Sequence, residues 1–282
     1  MDREAVRRIA LSLGADAVGF CVPRVFHEWQ DVLEKRVNLP FEQPDVARRI
    51  DPFLHFSQAE GVVCILKSHD LFENHLAKDE YKVTSSSLID YHREVKGILR
   101  ELQKILEENG IQSTVMCDTE GLLDKQIALD AGLGFIGKNS LLIHPKWGSA
   151  VHIGYLLTDA SWEPDPPVEG SCGECTQCID ACPKGAIKKE GGLRHLLCLS
   201  GMTQNRKAAP QYLEKYLYGC DICLKACPYN EVKEREERFI YREEDFALSH
   251  REFQLQYAEM EFAWLGRNLL HRNILWNQEE DR

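Results

Sequence analysis

Hydrophobic and polar positions recur with helical spacing in two long stretches of the chain. Residues 3–13 place an apolar side chain every three or four positions and stop at Gly14, and residues 95–106 repeat the pattern before an Asn-Gly pair. Apolar residues at this spacing form one face of a helix. The pattern therefore predicts two amphipathic helices, and a third is expected over about 122–131.

Short apolar runs between these stretches predict strands, because runs of this length are typical of buried strands. The runs occupy residues 15–21, 61–66, 113–117 and 150–157. Helices that alternate with strands indicate an α/β or α+β domain over the first 160 residues or so. Residues 162–170 then contain three prolines and a glycine, which predicts a domain boundary.

Three parts are therefore expected: an N-terminal domain over 1–163, a cysteine-rich module over 164–232 and a charged helical segment over 233–282. A chain of 282 residues with 44% hydrophobic content can bury a substantial core. The charged N-terminus does not resemble a signal peptide, and no apolar run is long enough to span a bilayer. We expect a cytoplasmic monomer without membrane contact. The net charge of −11 argues against generic nucleic-acid adhesion.

Eight of the eleven cysteines fall into two groups. The cytosol keeps thiols reduced, so metal or redox chemistry is favoured over disulfides. Residues 172–183 read C-x2-C-x2-C-x3-C-P, the run with which bacterial ferredoxins bind [4Fe-4S] clusters. The second group begins at Cys198 and continues as C-x2-C-x3-C-P over 220–228. Two [4Fe-4S] clusters are therefore predicted.

The ferredoxin pattern also predicts how the cysteines divide, because three thiolates of one run hold one cluster and the fourth reaches the other. The first cluster is expected on Cys172, Cys175, Cys178 and Cys227. The second cluster is expected on Cys182, Cys198, Cys220 and Cys223. Prolines after Cys182 and Cys227 end a short helical turn there, which fits this crossing.

Structural zinc is the alternative for the C-x2-C pairs, since such pairs suit tetrahedral coordination. Zinc modules do not normally contain two C-P crossings, which favours the clusters. The other three cysteines, Cys21, Cys64 and Cys117, lie in apolar runs and are expected to be buried and unreactive. A dicluster ferredoxin is much smaller than this chain, so the N-terminal part is expected to hold a second cofactor or a substrate.

The most distinctive stretch outside the cysteines runs from Cys117 to Ser140. It places Asp118 at a strand end and continues through Gly132, Gly134 and Gly137 to Lys138 and Asn139. Glycines allow a backbone to approach a ligand closely, and Lys138 is suited to a phosphate or an amide side arm. A plain helix stop and loop is the alternative.

Together with the cysteine module, the segment from Asp118 to Asn139 resembles the epoxyqueuosine reductases. In that family the segment runs V-D-[ST]-A-P-V-L-E-R and then A-G-L-G-W-I-G-K-N, and it aligns here without a gap. Further matches extend over the chain, at Leu13–Gly19, Arg49–Pro52, Asp90–His92, Gly148-Ser149, Leu157–Asp159, Gly219–Cys223, Cys227–Asn230 and Gly266–Asn273. Longer members continue into helical HEAT-type repeats beyond the point where this chain stops, so a short form is expected.

The resemblance implies an α/β (α+β) cobalamin-binding domain of the reductive-dehalogenase type, a dicluster ferredoxin-like module and a short helical C-terminal segment. It implies two [4Fe-4S] clusters and base-off cobalamin as cofactors. Electrons would pass from an external low-potential donor of ferredoxin or flavodoxin type through the clusters to cobalt. The reduced corrin would then convert epoxyqueuosine to queuosine at the wobble base, which makes tRNA the implied partner.

The resemblance also implies roles for single residues. Asp118 matches the proton donor of the family, and burial beside a corrin would raise the pKa of this acid toward neutrality. A strand-end Asp that caps the next helix is the alternative. Corrin contacts are expected at Arg49, Lys138, Asn139, Ser149 and Ser200, for each of which a surface or capping role is the alternative.

The chain departs from the family pattern at positions that bear on the substrate. These are Glu120-Gly121, Asp124-Lys125, Thr84–Ser87 and Gly201–Asn205. The added negative charge of Glu120 and Asp124 disfavours a polyanion. Two alternatives to the tRNA enzyme therefore stay open. One is a related reductase of a non-tRNA epoxide or organohalide, and the other is a ferredoxin-like carrier or an activator of a corrinoid protein.

Overall fold

The computed structural model of the chain describes residues 1–73, 75–88, 90–118, 121–234 and 236–278. These residues form two compact units. The first unit consists of Met1–Ser68, His92–Gly137 and Leu141–Gly173. The second unit consists of His69–Tyr91, Lys138–Ser140 and Glu174–Arg282. A segment from the N-terminal half thus belongs to the unit that contains most of the cysteines. The division at residues 163 and 232 stays a prediction.

The helices and strands are numbered in chain order. The helices are α1 (Arg3–Ser12), α2 (Gln30–Lys35), α3 (Val46–Ile50), α4 (Tyr91–Glu108), α5 (Asp124–Asp130), α6 (Gln177–Ala181), α7 (Leu199–Gln204), α8 (Ile222–Lys225), α9 (His250–Tyr257) and α10 (Arg267–Gln278). The strands are β1 (Ala17–Cys21), β2 (Gly61–Ser68), β3 (Leu71–Phe72), β4 (Tyr81–Val83), β5 (Ser113–Met116), β6 (Phe135–Ile136), β7 (Leu142–Ile143), β8 (Val151–Thr158), β9 (Tyr216–Tyr218), β10 (Val232–Lys233) and β11 (Ile240–Tyr241). The helices and strands predicted for the first 160 residues are confirmed, with shifts of a few residues at their ends.

An antiparallel four-stranded sheet in the order β1-β2-β8-β5 organises the first unit. The two central strands are the longest, and Cys64 of β2 lies opposite Tyr155 of β8. Helix α4 packs so closely on this sheet that a Cβ atom at Gly154 would lie 2.4 Å from Val95. Helix α5 contributes Ile127 to the main core of this unit. The sheet therefore fixes the ends of β5 and β8.

A second core, rich in aromatic residues, stabilises the second unit. It packs β4, β9 and β11, which form a three-stranded sheet, against the C-terminal helices. Four aromatic side chains of the C-terminal segment are buried in this core, namely Phe246, Phe253, Tyr257 and Phe262. A parallel pair of β3 and β10 completes this unit's strands. Residues 69–91 supply β3 and β4, which explains why they belong to this unit.

The family-like motif Gly266–Asn273 is structural in this chain. The Arg272 guanidinium donates to the carbonyl of Asn205 at 2.7 Å, at the C-terminal end of α7. The buried Asn273 amide donates to the carbonyls of Thr203 at 2.9 Å and Leu217 at 2.7 Å. The Gly201–Asn205 segment, where the family pattern is lost, is thus held by α10.

Candidate active site and cluster module

Asp118 occupies a left-handed backbone conformation directly after β5, with a φ of 55°. Its N–H donates to Asp124 Oδ2 at 2.9 Å, and its carbonyl accepts from the N–H of Gly121 at 2.9 Å. Asp is one of the few residues with a Cβ atom that enter this region at a modest cost. The Asp118 side chain is 60% exposed. The turn therefore presents the carboxylate to solvent from a backbone that is fixed on both sides.

His92 faces this carboxylate. Its Nε2 atom lies 3.1 Å from Asp118 Oδ2, and its side chain is only 23% exposed. His92 belongs to the first turn of α4, whereas Asp118 follows β5. The sequence showed His92 only as part of a matching Asp-Tyr-His run and gave no role for it. His92 and Asp118 are 26 positions apart, so no helical or strand periodicity in the sequence indicates that they meet.

Asp124 anchors the Asp118 turn to the sheet. Besides the Asp118 N–H, it accepts the hydroxyl of Tyr155 at 2.7 Å, and Tyr155 is fully buried in β8. The Asp124 carboxylate is thus engaged by two donors of the protein itself. The carboxylate therefore has a positioning role in the Asp118 turn, and the effect of its charge on a polyanion stays a prediction. Glu120, the other acid in that expectation, lies outside the described residues.

Arg49 is a buried cation on α3, with 9% of its surface exposed. Its guanidinium donates to Asn38 Oδ1 at 3.3 Å, and its carbonyl accepts from the N–H of Leu123 at 3.1 Å. Burial lowers the pKa of this guanidinium. Within the part of the chain that the structure describes, no carboxylate forms an ion pair with Arg49. A buried guanidinium of this kind fits a ligand with phosphate and amide groups.

The other expected corrin contacts have different surroundings. Ser149 is buried in the first unit, and Asn139 is buried in the second. Lys138 Nζ donates to the carbonyl of Cys175 at 3.0 Å, so it holds a cluster loop. The Ser200 carbonyl accepts from the Gln204 side chain at 2.9 Å within α7. The role of all four residues at a corrin stays a prediction.

Two glycines of the first unit allow neighbouring backbone segments of the same chain to pack closely. A Cβ atom at Gly19 would lie 2.1 Å from the carbonyl oxygen of Ala131, and one at Gly134 would lie 2.3 Å from that of Ile143. For Gly134, close backbone approach was expected to serve a ligand. In the structure, the space beside Gly134 and Gly19 is filled by neighbouring segments of the first unit, which fixes the segment that follows α5.

The cluster cysteines of the second unit group together around α6 and α8, which pack against each other. Burial raises the pKa of the Cys223 thiol well above its usual range, and the nearby thiols of Cys220, Cys198, Cys178 and Cys182 raise it further. Burial likewise raises the pKa of Cys220 to about 12. Thiols in such a group bind iron as thiolates, because the metal replaces their protons. This arrangement fits an iron–sulfur cluster.

A hydrogen bond to sulfur adds to that fit, since the N–H of Ala186 lies 3.3 Å from Cys182 Sγ. Hydrogen bonds to the sulfur ligands are one of the means by which proteins set cluster potentials. Among the described residues, no three His, Cys, Asp or Glu side chains are close enough to share a single metal ion. The division of the cysteines between the two clusters stays a prediction.

The three remaining cysteines are buried, as expected. Burial raises the pKa of Cys21 to about 12 and that of Cys64 well above its usual value. Cys117 Sγ lies 3.7 Å from the carbonyl oxygen of Ile153. Buried thiols that stay protonated are poor nucleophiles and poor metal ligands.

Comparison with known proteins identifies a family for the cysteine module and for the whole chain. Residues 171–230 match the family model of the 4Fe-4S double cluster binding domain. The epoxyqueuosine reductase of Lactococcus garvieae (strain Lg2) is 32% identical over 299 residues, which cover 97% of this chain and 85% of the relative. The chain belongs to the epoxyqueuosine reductase family. The expectation from the sequence is confirmed, and the chain is an oxidoreductase.

Solved epoxyqueuosine reductases share the fold over 98% of this chain and 80% of theirs. One, determined with an epoxyqueuosine-modified tRNA-Tyr stem loop, has a TM-score of 0.88 at 30% identity. Another, from Bacillus subtilis, has an aspartate catalytic loop swung out of its active site and a TM-score of 0.86 at 28% identity. The reductive dehalogenase NpRdhA has a TM-score of 0.57 at 19% identity over 97% of this chain and 37% of its own. The expected fold class is thereby confirmed.

The cofactors follow from the family. The double-cluster match indicates two [4Fe-4S] clusters and removes the support for structural zinc, and membership in the family implies cobalamin. The match extends far beyond residues 171–230, which favours a reductase over a ferredoxin-like carrier. No helix in the described ranges has the length and apolar content that a membrane crossing needs.

Proposed function

We propose that this chain reduces epoxyqueuosine to queuosine in tRNA, with Asp118 as the proton donor. Conversion of the epoxide to an alkene takes up two electrons and two protons and releases one water molecule. The pair of Asp118 and His92 carries the proposal, because it places an acid on a fixed, solvent-facing turn with a second proton-carrying group at 3.1 Å. The aspartate catalytic loop of the Bacillus subtilis relative supports this role.

Cobalamin, when bound, supplies the reducing power at the epoxide, and the two clusters relay electrons to it from an external donor. Arg49 would hold a phosphate or amide of the cofactor, because its buried guanidinium has more N–H donors than its hydrogen bond to Asn38 uses. Ser149, on the loop before β8, would contribute a hydroxyl from the same unit. Asn139, Lys138 and Ser200 are proposed as further contacts.

The protons pass through the chain's own side chains. Asp118 donates one proton to the departing oxygen, and His92 Nε2 is placed to return a proton to the emptied carboxylate. Asp124 and Tyr155 keep the Asp118 turn in position while the proton moves. General acid catalysis of this kind contributes about 10²–10⁴-fold to a rate.

A stripe of cations on α4 supports RNA as the substrate in spite of the acidic total charge. The stripe begins one residue after His92 and recurs every three or four positions. It consists of Arg93, Lys96, Arg100 and Lys104. Side chains at this spacing share one face of a helix, so they can contact successive phosphates of one strand. The tRNA stem loop bound to a relative fits such a surface.

The test is Asp118→Asn in the cobalamin- and cluster-loaded protein, assayed on an epoxyqueuosine tRNA stem loop with dithionite as reductant. We expect kcat to fall about 10²–10⁴-fold with little change in KM, because Asn cannot donate an acidic proton. His92→Gln should lower kcat less and shift the pH profile. Asp118→Glu should retain part of the activity.

Asp31→Asn is the matched control, because Asp31 is an exposed carboxylate of the first unit that pairs with Lys35. It should leave kcat unchanged. An Asp118→Asn enzyme with more than about a third of the wild-type kcat would exclude Asp118 as the acid. An anaerobic cobalamin titration, followed by visible and EPR spectra, tests the cofactor separately. Intact clusters without cobalamin binding would overturn the proposed function.

A further inference from the structure

A basic hairpin over residues 184–197 lies between Cys182 and Cys198, two of the cysteines predicted to bind the second cluster. Between Pro183 and Pro210 the chain carries six lysines and arginines and only one acid, Glu190, although the whole chain has a net charge of −11. This local excess of positive charge belongs to the second unit. The proposed function leaves this charge unassigned.

The backbone of the hairpin is well ordered by hydrogen bonds. Ile187 pairs with Leu193 in an antiparallel bridge, and the N–H of Arg194 donates to the carbonyl of Ala186 at 2.7 Å. A 3-10 turn over His195–Leu197 then leads into Cys198. The segment therefore has a defined backbone conformation that holds its charged side chains in place.

The buried part of the hairpin contacts Cys182. Ala186 and Ile187 are 1% and 4% exposed, and the Ala186 N–H donates to Cys182 Sγ. Cys198, at the other end, lies within about 7 Å of Leu196 in Cα distance, because only one residue separates them. Cys182 and Cys198 are predicted ligands of the same cluster. The hairpin thus contacts one predicted ligand of that cluster and leads directly into another.

The exposed and half-buried side chains of the hairpin include apolar and positive groups. Leu196 and Leu197 are 47% and 41% exposed, directly before Cys198. The docking face is defined by these two leucines and the cations of the hairpin, namely Lys184, Lys188, Lys189, Arg194, Leu196 and Leu197. Within the described residues, none of its three lysines forms an ion pair. An apolar centre with a charged rim is the usual composition of a protein interface.

We propose that the docking face binds a small acidic one-electron carrier, a reduced flavodoxin or ferredoxin. The carrier passes its electron to the second cluster, which is predicted on Cys182, Cys198, Cys220 and Cys223. One electron leaves the carrier and reduces one cluster from the 2+ to the 1+ state, with no bond made or broken. This inference rests on the proposed function, since the reduction needs electrons from outside the chain. Charge complementarity favours an acidic partner, and the nearby cluster favours a redox partner over RNA.

The physical expectation is a weak, fast and salt-sensitive complex. Electron-transfer interfaces are at the small end of the range, below about 1,200 Å². Opposite charges raise association rates about 10- to 10³-fold at low ionic strength, and salt screens this gain. Two leucines suffice for a short-lived apolar contact at the centre of such an interface.

The test follows cluster reduction by stopped-flow absorbance in the cluster-loaded protein without cobalamin or RNA. The electron donor is flavodoxin hydroquinone. We expect the double variant Lys188→Glu and Lys189→Glu to lower the second-order rate constant at least tenfold at low salt, with a smaller difference at high salt. Dithionite, which needs no docking, should reduce both proteins equally. The milder Lys188→Gln and Lys189→Gln should give an intermediate effect.

Two control variants match these changes. Lys35→Glu combined with Lys233→Glu alters the net charge equally, at exposed lysines that pair with Asp31 and Asp70. It should leave the flavodoxin rate unchanged. Leu196→Gln should weaken flavodoxin binding at every salt concentration, whereas Leu11→Gln, at a residue 43% exposed in the first unit, should not.

Three results would overturn the proposal. An unchanged flavodoxin rate in both charge variants excludes the docking face. An equal slowing with flavodoxin and dithionite would show that the two lysines act on the cluster site itself and not on docking. A loss of affinity for the tRNA stem loop, with a normal flavodoxin rate, assigns the face to RNA. If flavodoxin reduces the cluster at the normal rate but the protein does not reduce epoxyqueuosine, the result contradicts only the proposed function.

Discussion

Ser85 donates two hydrogen bonds to Asp221, from its N–H at 2.9 Å and from its hydroxyl at 2.6 Å. Asp221 lies between the cluster cysteines Cys220 and Cys223, and it is 1% exposed. Ser85 belongs to the Thr84–Ser87 segment, where the family pattern is lost. The departure at this position thus coincides with an anchor for the loop that carries two predicted cluster ligands.

Removal of the Asp221 charge should destabilise the second unit. Asp221 also accepts the Tyr216 hydroxyl and pairs with Lys225 Nζ at 3.1 Å, so Asp221→Asn leaves a nearly buried ammonium without its counter-ion. The expected loss is about 3–5 kcal/mol in the free energy of unfolding. The urea midpoint of the cluster-loaded protein measures it.

The matched variant combines Asp221→Asn with Lys225→Met, which removes both charges and should recover part of the loss. Ser85→Ala should cost less, about 1–3 kcal/mol, because Lys225 still compensates the carboxylate. Equal midpoints for wild type and Asp221→Asn would show that the ion pair contributes nothing to stability.

Tyr155→Phe should impair the Asp118 turn without touching the substrate. The change removes the donor at 2.7 Å from Asp124 Oδ1, while Asp124 Oδ2 accepts the Asp118 N–H. We expect a loss of about 1.5–3 kcal/mol in stability and a kcat about 10- to 100-fold lower, because the acid is less well placed. Thermal unfolding and turnover of the tRNA stem loop measure the two effects.

Tyr218→Phe is the control for this variant. Tyr218 is also buried, and its hydroxyl donates to Glu261 at 2.8 Å in the second unit. A comparable loss of stability with an unchanged kcat is expected. A similar fall of kcat in both variants would mean that general destabilisation lowers the activity.

The loop before Ser149 should become less stable at acidic pH, because His144 becomes protonated. Its Nδ1 accepts the N–H groups of Lys146 at 3.1 Å and Trp147 at 3.2 Å, which requires an unprotonated nitrogen. Burial and then the charge of Lys146 lower the pKa of His144. Its contribution is therefore complete above the ordinary His pKa of about 6.5 and is lost as the pH falls from there toward the folded value.

His144→Asn isolates this effect, because an Asn side chain can accept the same N–H groups without titrating. We expect the wild-type Tm to fall more than the variant Tm between about pH 7.5 and pH 5.5. Cobalamin affinity should follow the same trend if Ser149 contacts the cofactor. Parallel Tm curves for the two proteins would exclude His144 as the titrating group.

The planar guanidinium of Arg272 should stabilise the C-terminal end of α7. The guanidinium donates to Asn205 and lies 4.0 Å from the centre of the Trp276 ring. Burial, followed by the charge of Arg206, lowers the pKa of Arg272 to about 10. Arg272→Lys keeps the charge but loses the fork, so a loss of about 1–2 kcal/mol is expected from denaturation midpoints.

Arg251→Lys is the comparison, because Arg251 is exposed on α9. It should change the midpoint by less than about 0.5 kcal/mol. Affinity for the tRNA stem loop should be the same in Arg272→Lys and wild type. A selective loss of RNA affinity would instead make Arg272 a phosphate contact.

The sequence by itself determined the parts of this protein that depend on local spacing. The apolar positions of 95–106 predicted α4, since a helix repeats every 3.6 residues. The two C-P runs predicted the cluster module, because a cubane needs thiolates at short, fixed separations along the chain. The run from Asp118 to Asn139 indicated the family, which the comparison with relatives confirmed.

Only the tertiary structure decided which distant residues meet. His92 reaches Asp118 because α4 and β5 pack in one unit, and Ser85 reaches Asp221 across 136 residues. Residues 69–91 join the second unit because β3 and β4 pair with β10 and β9. Such contacts depend on strand order and packing, which have no repeat along the chain. A single sequence therefore specifies the elements and motifs locally, whereas the pairing of their side chains appears only when the chain is folded.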